Sequence, residues 1–172
     1  MELFKKKIES AFSGVRVSIP GRYRMVINAG KDEVISILNF LKGEGYNHLG
    51  IISCVDWPGE GELELVYIIS AYMRDNDTYD DDCKANIILK TRISREKPEF
   101  ATAINVFENA EPYEREIHEF FGVDFKGHPR LTPLLLEREY EIPPFRKDFD
   151  TRKYVEEFFD KIPFVENEDG QK

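Results

Sequence analysis

The segment from Glu114 to Asp148 does most to limit what this 172-residue chain can fold into. It begins as an amphipathic helix: Tyr113, Ile117, Phe120 and Phe121 recur at i, i+4, i+7 and i+8 and make one apolar stripe. Pro112 suits the first turn, where its missing N–H removes no hydrogen bond. Gly122 follows the last apolar residue, where helices commonly turn left-handed. Gly127-His128-Pro129 then enforces a turn, because the residue before proline is pushed out of helix. Beyond it the chain is rich in Leu, Ile and Phe, yet Pro129, Pro133, Pro143, Pro144 and Pro163 prevent one long helix. Apolar side chains on such an irregular segment have to lie against something. Left in water, they would form a larger patch than monomers usually expose.

The other face of the helix carries Glu114, Arg115, Glu116, His118 and Glu119. The plain reading is a solvated face, with Glu114–His118 and Arg115–Glu119 as i,i+4 pairs worth roughly 0.2–0.5 kcal/mol each. A sharper reading turns Arg115 toward Glu116 and Asp148 as a partly buried pair, whose loss destabilises the protein by more than about 2 kcal/mol. A catalytic alternative makes Glu114, Glu116, His118 and His128 the working residues of a free-standing metal-dependent hydrolase. Spacing weighs against it: Gly122 stands where a zincin helix needs its second histidine.

Taken together, these residues resemble one known signature. Glu114-Arg115-Glu116, the acid Glu119, Phe121-Gly122, Gly127-His128-Pro129 and the later Arg146-Lys147-Asp148 look like the 30 kDa subunit family of respiratory complex I. This is the C-type subunit of NADH-quinone oxidoreductase, with its counterpart in archaeal membrane-bound hydrogenases. The ordered match covers about a third of the chain strongly, and Asp56-Trp57-Pro58 with its following strand matches more loosely. Thr132 departs from it, since the family usually has a basic residue there. The resemblance implies a structural subunit without a cofactor of its own. It would dock on a catalytic large subunit and on an iron–sulfur small subunit. Iron–sulfur clusters, and nickel–iron where the complex is a hydrogenase, would sit in those partners. It also implies that the residues after about His128 form an arm running along the large subunit, its register fixed by Arg146-Lys147-Asp148.

The rest of the chain reads more simply. Phe4, Ile8 and Phe12 mark a short helix, better packed on its own domain than laid on a membrane, and the lysines before it are followed by no signal-peptide core. Val15–Ile19 and Arg22–Asn28 are candidate strands around the Pro20-Gly21 turn. Asp32 would cap a helix whose Val34, Ile37, Leu38 and Leu41 share one face. His48–Asp56 and Leu63–Met73 form a hairpin over a five-residue loop, and His48 reads as an edge or core histidine. The aspartates from Asp75 to Asp82 lack the glycine and glutamate of a calcium loop and read as a solvated turn. Ala85 to Ile93 alternates as a last strand. Pro98 would open a helix burying Phe100, Ala101, Ile104 and Phe107. Cys54 and Cys83 read as reduced structural thiols, too few for an iron–sulfur or zinc site.

These elements predict an α+β fold: a mostly antiparallel sheet of four or five strands, helices packed on one face, and an extended C-terminal arm. The expected division is a domain over 1–127 and a partner-binding arm over 128–172. A net charge of −9 argues against a nucleic-acid partner, and 33% charged residues suit a chain whose charges meet other chains. The longest uncharged run is far short of a membrane span. The functional expectation is therefore a hetero-oligomeric, cytoplasmic subunit that touches the membrane only through its complex. That complex would be an ion-translocating hydrogenase or quinone reductase.

Overall fold

The computed structural model describes residues 1–71, 86–136 and 140–158. The aspartate-rich turn, Met73, Cys83 and the last fourteen residues lie outside it. Three elements start the chain: helix α1 (Glu2–Ala11) and strands β1 (Arg16–Gly21) and β2 (Arg24–Asn28). Helix α2 (Val34–Gly43) and the hairpin β3 (His48–Trp57) and β4 (Glu62–Ser70) follow. After them come β5 (Asn86–Ser94), the short β6 (Glu99–Ala101), α3 (Ala110–Phe121), β7 (Asp124–Lys126) and α4 (Thr151–Phe158).

Five strands form one sheet in the order β1-β2-β5-β4-β3, antiparallel except for the β2–β5 pair. Alternation fixes its two faces. Val17, Ile27, Leu89, Tyr67 and Ile52 stand in one register row across all five strands, and every one is buried. The next row, Ser18, Val26, Ile88, Ile68 and Ile51, faces the other way and is half-buried or exposed. Ile8 of α1, the Val34-Ile37-Leu38-Leu41 face of α2, and Ala110 and Ile117 of α3 join the first row in one core. Each such aliphatic side chain contributes about 1.5–3 kcal/mol when fully buried. The α+β architecture with helices on one face is what the periodicities predict.

Three local expectations need correction. Pro20 and Gly21 belong to β1, and the chain reverses after them at Arg22 and Tyr23, with Gly21 opposite Arg24. The segment after Pro98 is not a helix: Phe100 is buried from strand β6, which pairs in parallel with β7. The apparent helical spacing of Phe100, Ile104 and Phe107 comes from a strand followed by tight turns, closed by Val106 and Phe107 N–H groups on the Ala103 carbonyl. At α2 the N-cap residue is Glu33 rather than Asp32, with no side-chain cap. The first helix packs on its own domain, with Phe4 stacked near Phe40 and Tyr46 and Phe12 edge-on to Phe40. Among the described residues no helix is long and apolar enough to cross a membrane.

Candidate functional site

Helix α3 is the spine on which the signature residues assemble. Its buried residues are Ala110, Glu114, Ile117 and Phe120, so Glu114 belongs to the apolar stripe and not to the solvated face. The residue is 0% exposed. Thr102 Oγ1 donates to its carboxyl at 2.5 Å and the Ala103 N–H at 2.6 Å, which ties α3 to the turn after β6. Burial pushes this carboxyl up to about 7, against the pull of those two hydrogen bonds.

Arg115 and Glu119 sit one turn apart and grip the main chain of the arm. Arg115 Nε donates to the Thr132 carbonyl at 3.1 Å and Nη2 to that of Pro133 at 2.9 Å, while Nη1 reaches Glu111 at 3.4 Å. Glu119 accepts from the consecutive N–H groups of Leu134, Leu135 and Leu136, at 3.2 and 3.0 Å for the first two. The expected pairing of Arg115 with Glu116 and Asp148 does not form. Glu116 is exposed, and Asp148 lies with Arg95. The i,i+4 pairs expected of Glu114 and Arg115 give way to these non-local contacts. Thr132 supplies Arg115 with its carbonyl and with Oγ1 at 3.4 Å.

The second half of the arm closes the end of α3. Gly122 adopts φ +76°, and its N–H returns to the His118 carbonyl at 2.8 Å. A Cβ there would stand 3.0 Å from Pro143 Cγ and 3.4 Å from Arg146 Nη2, so the arm comes this close only against glycine. The last carbonyls of the helix are met by the arm: Phe145 N–H on Phe120, and Arg146 Nε on Phe121 at 2.8 Å. A guanidinium suits the negative end of a helix dipole. Burial, then the neighbouring Arg95, holds the Arg146 pKa below its ordinary value. Phe145 stacks on Phe120 at 4.2 Å and meets Phe121 edge-on.

Asp56 completes the assembly, a role that the turn it opens in the sequence does not announce. It ends the inward-facing series Ile52, Cys54, Asp56 on β3 and is 2% exposed. A charge at a buried strand position demands a partner, which is the signal that could have found it. Arg95 provides that partner through Nε at 2.7 Å and Nη2 at 3.2 Å, and the Lys147 N–H adds a bond at 2.8 Å. Arg95 Nη2 also donates to Asp148 at 2.6 Å. Burial pushes the Asp56 carboxyl up, but Arg95 and the Lys147 N–H outweigh it and hold it below the usual range. Arg146-Lys147-Asp148 thus fixes the register of the arm, on the chain's own body.

The remaining signature residues lie in the turn after β7. Gly127 turns at φ +87°, with Thr102 Cγ2 3.2 Å from where a Cβ would stand. His128 accepts the Arg130 N–H on Nδ1 at 3.0 Å and reaches the Glu111 carbonyl with Nε2 at 3.3 Å. Pro129 is exposed. His118 Nδ1 bonds the Val123 carbonyl at 2.8 Å. Of the four residues of the hydrolase alternative, Glu114, His118 and His128 are thus held by different groups and Glu116 is exposed. Among the described residues no three His, Cys, Asp or Glu side chains gather as a metal requires. Cys54 is a buried free thiol whose pKa burial pushes up to about 12, so it is an inert core residue.

Several large apolar side chains stay uncovered on the described part of the arm. Leu135 is 67% exposed and Phe145 56%, with Leu134 and Ile142 also exposed.

A family model described as respiratory-chain NADH dehydrogenase, 30 Kd subunit, matches residues 27–155. The C-type subunit of F(420)H(2) dehydrogenase from Methanosarcina mazei is 35% identical over 152 residues, covering 87% of this chain and 89% of that protein. The C/D-type subunit of NADH-quinone oxidoreductase from Phocaeicola vulgatus is 33% identical over 115 residues, which is 66% of this chain and 20% of that longer protein. A chain from the membrane-bound sulfane sulfur reductase, an archaeal respiratory membrane complex, superposes with a TM-score of 0.82 at 27% identity, covering 99% of this chain and 98% of that one. These relatives are subunits of oxidoreductase complexes. With three quarters of its length matched by the family model, and with the signature residues gathered on α3, the chain belongs to the family of the respiratory-chain NADH dehydrogenase 30 kDa subunit.

Proposed function

We propose that this chain is a non-catalytic structural subunit in the cytoplasmic arm of a complex I-like, ion-translocating membrane oxidoreductase. Its arm side docks on the catalytic large subunit, the D-type chain. The observation that carries this reading is the way the arm is held. Arg115 and Glu119 take hold of its main chain, so Leu134 and Leu135 are displayed outward instead of spent on the chain's own core. An exposed apolar pair on a hydrogen-bonded main chain suits an interface anchor, because less backbone freedom remains to be lost on binding. The C/D-type relative adds support, since its name joins C with D and the match covers 20% of its length. Contact with an iron–sulfur small subunit rests on the family resemblance. The redox centres, iron–sulfur clusters and, in a hydrogenase-type complex, nickel–iron, then belong to the partner chains.

Co-expression with the D-type and iron–sulfur subunits of the same complex tests this. A Leu134→Ser, Leu135→Ser double variant should keep its thermal midpoint, because both side chains are exposed, and should lose co-purification with the D-type subunit. Full stoichiometry in the variant would move the docking surface away from the arm.

A further inference from the structure

Trp57 is the chain's only tryptophan, and it stands 36% exposed at the end of β3, next to Asp56. Two cations flank its ring. The Arg92 guanidinium lies 5.3 Å from the ring centroid and the Lys147 ammonium 5.5 Å from it. They differ in one respect. Arg92 is already neutralised by Glu60, Glu62 and Glu64. Lys147 has no carboxylate within ion-pair distance among the described residues, although its own N–H is fixed to Asp56 at 2.8 Å. The backbone that aims this lysine is therefore locked, and its charge is left over.

We infer that Trp57 and Lys147 form a second anchor on the docking face, taking an apolar surface of the D-type subunit that carries a carboxylate. This rests on the docking reading above and extends it from the arm onto the β3–β4 hairpin. Three features favour this occupant. An exposed indole held between cations presents a large, rigid apolar area with little side-chain entropy left to lose. An unneutralised ammonium beside it selects a partner acid by charge. And the Asp56–Lys147 bond ties the hairpin to the arm two residues from exposed Phe145. Tryptophan flanked by charge is the composition in which interface hot spots concentrate.

The single tryptophan supplies the test. The full chain, labelled with 5-fluorotryptophan, gives one fluorine resonance that is followed as the D-type subunit is added. The inference expects that resonance to move and to lose its H2O/D2O solvent shift on binding. Trp57→Ala should weaken association about tenfold or more, with Trp57→Phe restoring part of it. Lys147→Met should weaken it by a smaller factor that shrinks as salt is raised. A complex that forms while the fluorine signal keeps its solvent shift, with Trp57→Ala binding like wild type, overturns this anchor and leaves the arm docking intact. Failure of the wild-type chain to bind the D-type subunit overturns both.

Discussion

The body of the protein and its arm are held by opposite means. In the body, register rows of Val, Ile, Leu and Tyr meet three helices, and the buried side chains are almost all apolar. The described residues of the arm bury little. Besides the Phe145–Phe120 stacking, they are fixed by charged groups: Arg115 and Glu119 on the backbone of residues 132–136, Arg146 on the end of α3, Asp56 on the Lys147 N–H and Arg95 on the Asp148 carboxylate. Hydrophobic burial is non-directional and tolerates any partner of the right shape, whereas hydrogen bonds to main chain fix one path. A body built the first way is held by its own apolar core. An arm built the second way keeps its apolar side chains for something else.

Asp56 is where the two regions meet, and its removal has the largest expected effect. Asp56→Ala takes the buried carboxylate from the partly buried Arg95 guanidinium, which keeps only the exposed Asp148, and takes the acceptor from the Lys147 N–H; breaking such a pair costs about 3–5 kcal/mol. Urea denaturation should show a loss of that order. Trypsin should also cut the arm at Arg146 and Lys147 many times faster, because the strap is released. A variant that is destabilised while its arm stays resistant would separate the two regions and assign Asp56 to the body alone.

How much of this is legible in the sequence follows the same division. The faces of β3, β4 and β5 and the stripe on α2 come directly from periods of 2 and 3.6, since apolar burial leaves that periodicity in the sequence. The strand at Phe100 is hidden because Phe100, Ile104 and Phe107 mimic helical spacing while the real pairing partner, β7, lies more than twenty residues away. Charge alone puts Glu114 on the solvated face, although it falls four residues after Ala110 and three before Ile117, on the buried side. The Asp56–Arg95 pair joins residues 39 apart, and no local pattern announces it. The signature positions are recognisable as a set, but their roles on this chain's own backbone depend on contacts that only the fold creates.

Glu114 sharpens the comparison from within the body, as its one buried carboxyl on α3. The folded-state pKa is raised from 4.5 to about 7, so this group's favourable contribution is complete below about 4.5 and is lost as pH rises through about 7. At 1.36 kcal/mol per unit the difference is roughly 3 kcal/mol. The wild-type protein should be more stable near pH 5 than at pH 8, and Glu114→Gln should flatten that slope while keeping one acceptor for Ala103 and one group for Thr102. Asp56 and Asp148 do not confuse the measurement. Their carboxyls are held below the usual value of 3.8, so their stabilisation is lost only on the acid side. Urea midpoints of both proteins at the two pH values decide it. Parallel pH profiles would mean that Glu114 stays neutral, or stays charged, across the whole range.

The smallest effect is expected where the arm alone is touched. Arg115 holds the arm through the carbonyls of Thr132 and Pro133, but these acceptors are exposed, and water replaces a lost donor there at little cost. Arg115→Ala should therefore lower stability by only about 1 kcal/mol, less than a pairing with Glu116 and Asp148 would have implied. Its signature should be local: protease should reach residues 130–136 several times faster, while amide exchange in β4 and β5 stays as in the wild type. Arg115→Lys should behave almost like alanine, because an ammonium cannot reproduce the planar fork that spans two successive carbonyls. A loss above about 2 kcal/mol with slowed global refolding would put the first half of the arm inside the cooperative body, and the division between the two regions would then begin after Leu136 instead of at His128.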